Sequence, residues 1–315
     1  MEQKAYTHGL HHITGFAGDA VQNFNFYTKV LGLRLVKKSV NQDSVDVYHL
    51  FFADAVGNPG TDLTFFPWPN ISKAKDGTGL ATEVTFAIPV ESYDYWMIRL
   101  QELNVNNLGS DDRFGEKVIT FEDPDGLKLS LTATSEYRDT VAWDKSPVPA
   151  EHQLRGFHTV RMKVRKIEPS LVVLKDLMGY KEADRDGDWI RLEAGEGGSG
   201  TFVDIIALPD VPEGRWGAGG IHHVAFRMKD RETELKLRQK LMYAGLQPST
   251  LIDRFWFESV YFREPGGVVF ELATDGPGFG RDEDMDKLGE ELILPPWFEK
   301  NREEIEKNLP VLNLN

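Results

Sequence analysis

Apolar and β-branched positions recur along this chain in a fixed order. Two segments open almost identically: Gly9-Leu-His-His-Ile-Thr14 and Gly220-Ile-His-His-Val-Ala225. Gly156-Phe-His-Thr-Val160 is a looser copy. Each is short, apolar and partly β-branched, so each reads as a strand. After each comes a run with apolar spacing near 3.6, which predicts a helix. The first run carries Phe24, Phe26, Tyr27, Val30 and Leu31 before Gly32, the second Leu171, Val172, Leu174 and Leu177 before Gly179. The third carries Leu235, Leu237, Leu241 and Met242 before Gly245. The glycines fall where a helix C-cap belongs. They follow His12, His158 and His223 by 20, 21 and 22 residues.

A weaker copy fills the gap, with a strand over 81–88 and a helix over 93–103. The copies also end alike. Asp123-Pro-Asp-Gly126 and Glu264-Pro-Gly-Gly267 are turns that open a last strand. Gly60-Thr-Asp-Leu-Thr-Phe65 and Gly200-Thr-Phe-Val-Asp-Ile205 close the other two copies. The pattern therefore predicts four modules, each a strand, a helix and several strands, at 8–69, 79–134, 155–209 and 218–275. Turn-rich connectors lie at 67–79, 135–153 and 209–220. In the tail, 299–308 reads as a helix, and Pro295-Pro296 breaks what precedes it. The tail is expected on the outside or against a partner subunit.

Alternation along a strand places His12 and Thr14 on one face and His11 on the other, and likewise separates His223 from His222. Aligned ends put Thr64, Ser130, Asp204 and Glu271 at one equivalent position. Aligned starts put His12, Glu83, His158 and His223 at another. A curved sheet built from the first and fourth modules would gather His12, Thr64, His223 and Glu271. One built from the third and fourth would gather His158, Asp204, His223 and Glu271. Periodicity does not choose between them; the near identity of the two His-His strands favours the first. Two His and one carboxylate with open positions suit a non-haem iron centre.

Composition narrows the chemistry further. The chain has 315 residues, which suggests about two domains. The net charge of −14 argues against gripping a phosphate backbone. With no cysteine, thiolate catalysis, disulfides, iron–sulfur clusters and Cys-ligated zinc are excluded. Any metal must be held by nitrogen and oxygen, and four of the eight histidines are the two adjacent pairs. No run approaches a membrane span and no leader is visible, so a cytoplasmic protein is expected. An inward Glu between Phe270 and Leu272 is costly unless paired or bound to a metal.

The H-H-I-T, H-H-V and F-E-L-A-T-D motifs on these repeats resemble the vicinal-oxygen-chelate, or glyoxalase-like, superfamily. More narrowly the chain resembles the ring-cleaving dioxygenases that act on hydroquinones. The likeness extends through Val47-Tyr-His-Leu-Phe-Phe52, Gly57-Asn-Pro-Gly60, Thr64-Phe-Phe-Pro-Trp68, Arg113-Phe-Gly115, Tyr261-Phe-Arg-Glu264 and the Leu-Pro-Pro of the tail. It implies an α+β fold of four βαβββ modules in two glyoxalase/extradiol-dioxygenase-like half-barrel domains, 6–137 and 152–276, with a tail at 277–315. It implies Fe(II) held by His12, His223 and Glu271, with Mn(II) or Zn(II) as alternatives. It implies His11, Thr14, His222, Arg254 and Tyr261 around a small aromatic substrate and O2. His158 stands as the rival ligand. The function implied is ring cleavage of hydroquinone-type diols. The alternatives are a glyoxalase-like metal-dependent lyase or isomerase, and a metal-free protein that binds aromatic compounds. A homo-oligomer is compatible with all three; nucleic-acid and membrane partners are not expected.

Overall fold

The computed structural model describes residues 6–312. The first module is β1 (Thr7–Ala17), α1 (Ala20–Asn25, running on as a π-helical turn Phe26–Val30), β2 (Arg34–Asn41), β3 (Ser44–Ala53) and β4 (Asp62–Pro67). The second is β5 (Leu80–Pro89), α2 (Tyr93–Glu102), β6 (Asn106–Arg113), β7 (Glu116–Glu122) and β8 (Lys128–Thr134). The third is β9 (Phe157–Val164), α3 (Glu168–Leu171, running on through Val172–Leu177), β10 (Lys181–Asp186), β11 (Trp189–Glu193) and β12 (Phe202–Ala207). The fourth is β13 (Ile221–Met228), α4 (Arg231–Tyr243), β14 (Ile252–Asp253), β15 (Glu258–Arg263) and β16 (Val269–Thr274). Each module is thus βαβββ, as the repeats predict. In the tail, α5 spans Arg302–Asn308.

Local chemistry explains the boundaries. Asp19 and Asp230 cap α1 and α4, their carboxylates accepting from Gln22 and Thr233 N–H. Gly32, Gly179 and Gly245 take the positive φ that a helix C-cap requires. In the second module Asn104 takes this place with φ 51°.

The strands form two eight-stranded sheets, ordered β14-β15-β16-β13-β1-β4-β3-β2 and β10-β11-β12-β9-β5-β8-β7-β6. The first sheet joins modules one and four, and the second joins two and three. The expected division into 6–137 and 152–276 is therefore not the division of the sheets. The opening strands decide this: β1 pairs antiparallel with β13, and β5 with β9. One apolar core runs under both sheets, from Leu10 and Phe226 to Phe86 and Phe157. No helix among the described residues is long and apolar enough to cross a membrane.

One core feature is costly. Glu234 on α4 is fully buried and neither carboxylate oxygen has a hydrogen-bond partner. Burial, helped by the charges of Glu258 and Glu271, pushes its carboxyl up to about 8. Its folded pKa lies above its unfolded one. The stability it contributes is complete at acid pH and is lost as pH rises through about 8. Glu234→Gln removes that loss. The variant should gain on the wild type from about pH 5 upward, by up to about 5 kcal/mol once the pH has passed 8, read from urea midpoints. A difference that stays constant with pH would contradict the assignment.

Candidate metal centre

His12 lies on β1, His223 on the adjacent β13, and Glu271 on β16, the next strand in the same sheet. All three are buried. His12 Nε2 is 3.2 Å from His223 Nε2 and 3.1 Å from Glu271 Oε2, and His223 Nε2 is 2.8 Å from the same oxygen. Donors about 2.0–2.1 Å from one ion, at right angles about it, stand about 3.0 Å apart; tetrahedral angles would spread them to about 3.4 Å. The observed separations match three donors on one face of an octahedron. Among the described residues this is the one cluster of its kind.

The proton inventory fits a cation as well. Glu271 Oε1 accepts from Ser259 Oγ at 2.5 Å, whereas the buried Oε2 has no hydrogen-bond partner of its own. Burial works against the charge on Glu271, but His12 and His223 hold its carboxyl well below the usual range. His11 Nε2 donates to the Thr274 carbonyl at 3.1 Å, which leaves its Nδ1 as an acceptor. His12 Nδ1, 2.8 Å away, must then carry the proton and donate it. That assigns the lone pair of His12 Nε2 to the centre. On the partner strand His222 Nδ1 lies 2.7 Å from His223 Nδ1, in position to do the same. Burial, and then the neighbouring ring, pushes His11 and His222 each down to about 3, so both stay neutral.

This arrangement corrects the expectation from strict alternation that His11 and His222 sit behind the sheet. The β1–β13 pairing is bulged at both sites. His11 and His12 together face Ala225 between the Leu10–Phe226 and Ile13–Val224 pairs. On β13, His222 is the extra residue between the partners of Thr14 and Gly15. A bulge breaks the period of two and re-aims a side chain.

His158 is not brought to the centre. Counted from the strand-opening Gly9, Gly156 and Gly220, the residue equivalent to His12 and His223 is Thr159, and His158 matches His11 instead. A one-residue slip changes faces. His158 lies in the other sheet, 3.0 Å from Glu116 and 3.1 Å from Ser199 Oγ. There Asp204, equivalent to Glu271, is held by Arg191 at 2.8 and 3.0 Å. Glu83 meets Ser130 at 2.6 Å and Arg113 at 2.5 Å. Guanidinium groups occupy the second sheet where an ion would sit in the first.

The remaining expected residues divide. His222, Arg254 and Tyr261 line a cavity of about 600 Å³ that opens onto His12 and His223. Arg254 lies 5.2 Å over the Tyr261 ring and 2.9 Å from Asp43. Burial and the charge of Glu271 push the Tyr261 phenol up despite Arg254, so it stays a neutral donor. His11 and Thr14 do not line the cavity. Thr14 Oγ1 bonds Thr64 Oγ1 at 2.8 Å, and His49 Nε2 lies 2.8 Å from the same hydroxyl. Thr64, at the position of Glu271 in the first module, is thus engaged by His49.

Sequence reasoning missed His49 as a cavity residue, although alternation places it on one face with Phe51. It also missed Ser259, for which no sequence signal exists. Phe16, Phe51, Phe66, Trp68, Trp256 and Phe257 form the cavity's aromatic wall.

The tail packs on that wall and braces it. Lys37 is fully buried, 2.8 Å from Asp282, paired also with Glu283, and 5.3 Å over Trp256. Asp282 accepts from Trp256 Nε1 at 3.1 Å. Lys37→Met should cost about 3 kcal/mol, because it leaves two carboxylates without their cation. Urea unfolding measures this; a loss below about 1 kcal/mol would mean that solvent already screens the pair.

The chain is similar to known proteins along nearly its whole length. The family model described as "Glyoxalase/Bleomycin resistance protein/Dioxygenase superfamily" matches residues 9–131. The chain is 42% identical to "Putative ring-cleaving dioxygenase MhqA" of Bacillus subtilis (strain 168), covering 96% of this chain and 98% of that one. It is 34% identical to "Chlorohydroquinone/hydroquinone 1,2-dioxygenase" of Sphingobium indicum, covering 97% of each. The crystal structure of a "putative dioxygenase" from Bacillus subtilis superposes with a TM-score of 0.94, at 34% identity and 99% coverage of both chains. Glyoxalase I of Zea mays shares the fold alone, with a TM-score of 0.64 at 15% identity over 85% of this chain and 92% of that one.

Proposed function

Because this chain belongs to the glyoxalase/bleomycin resistance protein/dioxygenase superfamily, we propose that it is an Fe(II)-dependent ring-cleaving dioxygenase acting on hydroquinone-type diols. One observation carries the reading. Three converging donors, one of them an orphaned buried carboxylate oxygen, sit at the end of an aromatic-walled cavity. The cavity volume falls within the roughly 300–1,000 Å³ of small-molecule sites. Similarity to a hydroquinone dioxygenase over the whole chain supports the substrate class.

His12, His223 and Glu271 would hold the ion. When bound, Fe(II) supplies a Lewis acid and a redox partner that lets a singlet ring react with O2. A hydroquinone carries its hydroxyls at opposite ends of the ring and cannot chelate one ion through both. Its orientation therefore needs a second grip. Arg254 and Tyr261 face the cavity and offer cationic and neutral donors to a phenolic oxygen. His222, its Nδ1 accepting from His223, presents a neutral Nε2–H to the cavity as a further donor to a phenolic oxygen. The aromatic wall stacks the ring and excludes water. Cleavage between a hydroxylated carbon and its neighbour places both oxygen atoms of O2 in the product. The hydroxylated carbon becomes a carboxyl and the neighbour an aldehyde.

Oxygen uptake by anaerobically Fe(II)-loaded protein, against a panel of hydroquinones and catechols, tests the proposal. Stoichiometric uptake with hydroquinones is expected. Turnover of a hemithioacetal without oxygen would indicate a lyase or isomerase instead. Tight binding of the diols with neither reaction would indicate a sequestering protein.

A further inference from the structure

The connectors that lead from module one to two and from module three to four run side by side. Lys73 bridges Ala218, Lys75 bridges Arg215, and Thr78 bridges Glu213 through the backbone. Beside this seam lies a second cleft of about 660 Å³, also walled by Pro169 of α3 and the turn 265–267. Arg165, Lys166, Arg215 and Arg263 line it against a single carboxylate, Glu213. None of the four cations forms an ion pair with a carboxylate among the described residues.

That is a local inversion of the molecule's charge. Asp and Glu outnumber Lys and Arg by 50 to 36, so a cation on this surface readily finds a partner. Four that face one concavity without partners repel one another, and an anion between them relieves the repulsion. The site is partly ordered in advance. Arg263 Nη1 donates to the Gly267 carbonyl, and its guanidinium lies 5.2 Å over Trp216. The same indole meets His222, with ring centroids 4.9 Å apart. Trp216 thus lines the cleft and touches His222, a wall residue of the cavity at the candidate metal centre.

We propose that this cleft binds a small di- or polyanion, a dicarboxylate or a phosphate, at a site separate from the metal centre. Its concavity and size suit a small molecule, and the surrounding −14 charge repels an anionic polymer.

Calorimetric titration of the full chain with inorganic phosphate and, separately, with succinate tests this, with chloride at equal ionic strength as the control. Saturable binding of at least one probe is expected, weakened about tenfold in Arg263→Gln and again in Arg165→Gln. Both side chains are exposed, so the variants should fold, and unchanged thermal unfolding checks that. Preference between the probes identifies the ligand as phosphate or dicarboxylate. Heats no different from chloride overturn the proposal. So does binding that persists undiminished in both variants, which would place the anion elsewhere, including at the metal centre.

Discussion

His12→Ala should abolish metal binding and oxygen uptake, while His158→Ala leaves both intact. Loss of a residue that merely orients a ligand costs about 10–100-fold in metal affinity. Removing one of three donors removes a bond to the ion itself and should exceed that range. His12 Nε2 completes the separations of 3.1 and 3.2 Å that make the three donors a face. His158 pairs with Glu116 in the other sheet and reaches no ligand. Metal analysis of the two variants, with oxygen uptake after Fe(II) loading, reads the outcome. Loss of metal from His158→Ala with retention in His12→Ala would reverse the assignment.

The second large effect is expected at His11, which touches neither the cavity nor the other two donors. Its Nε2–H is committed to the Thr274 carbonyl, so its Nδ1 fixes the tautomer of His12. His11→Phe keeps a ring beside Phe257, 5.2 Å away in the wild type, but offers no acceptor. Metal affinity should fall by about 10–100-fold. His11→Gln offers a carbonyl oxygen that can accept from His12 Nδ1–H and should recover part of the loss. A purely packing role predicts the opposite order, with Phe the milder change. Fe(II) affinity by competition with a chelator, alongside urea midpoints, separates the two.

Much of this was legible in the chain. The 3.6-period runs, the glycine caps and the turns before the last strands are local signals, set by propensity and backbone sterics. They are why four βαβββ modules could be read without coordinates. His223 and Glu271 were legible as candidate ligands as well, because an inward Glu between Phe270 and Leu272 needs a cation; between His12 and His158 as the third, the near-copy His-His strands only favoured His12. The rest depended on neighbours that are distant in the chain. His49 reaches the cavity only because β3 lies beside β4, and Ser259 reaches Glu271 only through the pairing of β15 with β16. The tail shows the same dependence, since Asp282 and Glu283 gain a role only where Lys37 is buried beneath them.

The sequence by itself therefore determined the modules, the absence of thiolate ligands and the residue types of the candidate metal centre. These follow from composition and from periodicities measured along a few residues. Only the tertiary structure decided that module one pairs with module four. It alone placed His158 opposite Glu116, and it alone turned His11 and His222 toward their neighbours' rings. Strand pairing is a choice among non-local partners that periodicity leaves nearly equal. A bulge, a single extra residue in the ladder, is invisible until both strands are aligned, yet it re-aims the side chain on which a ligand's tautomer depends.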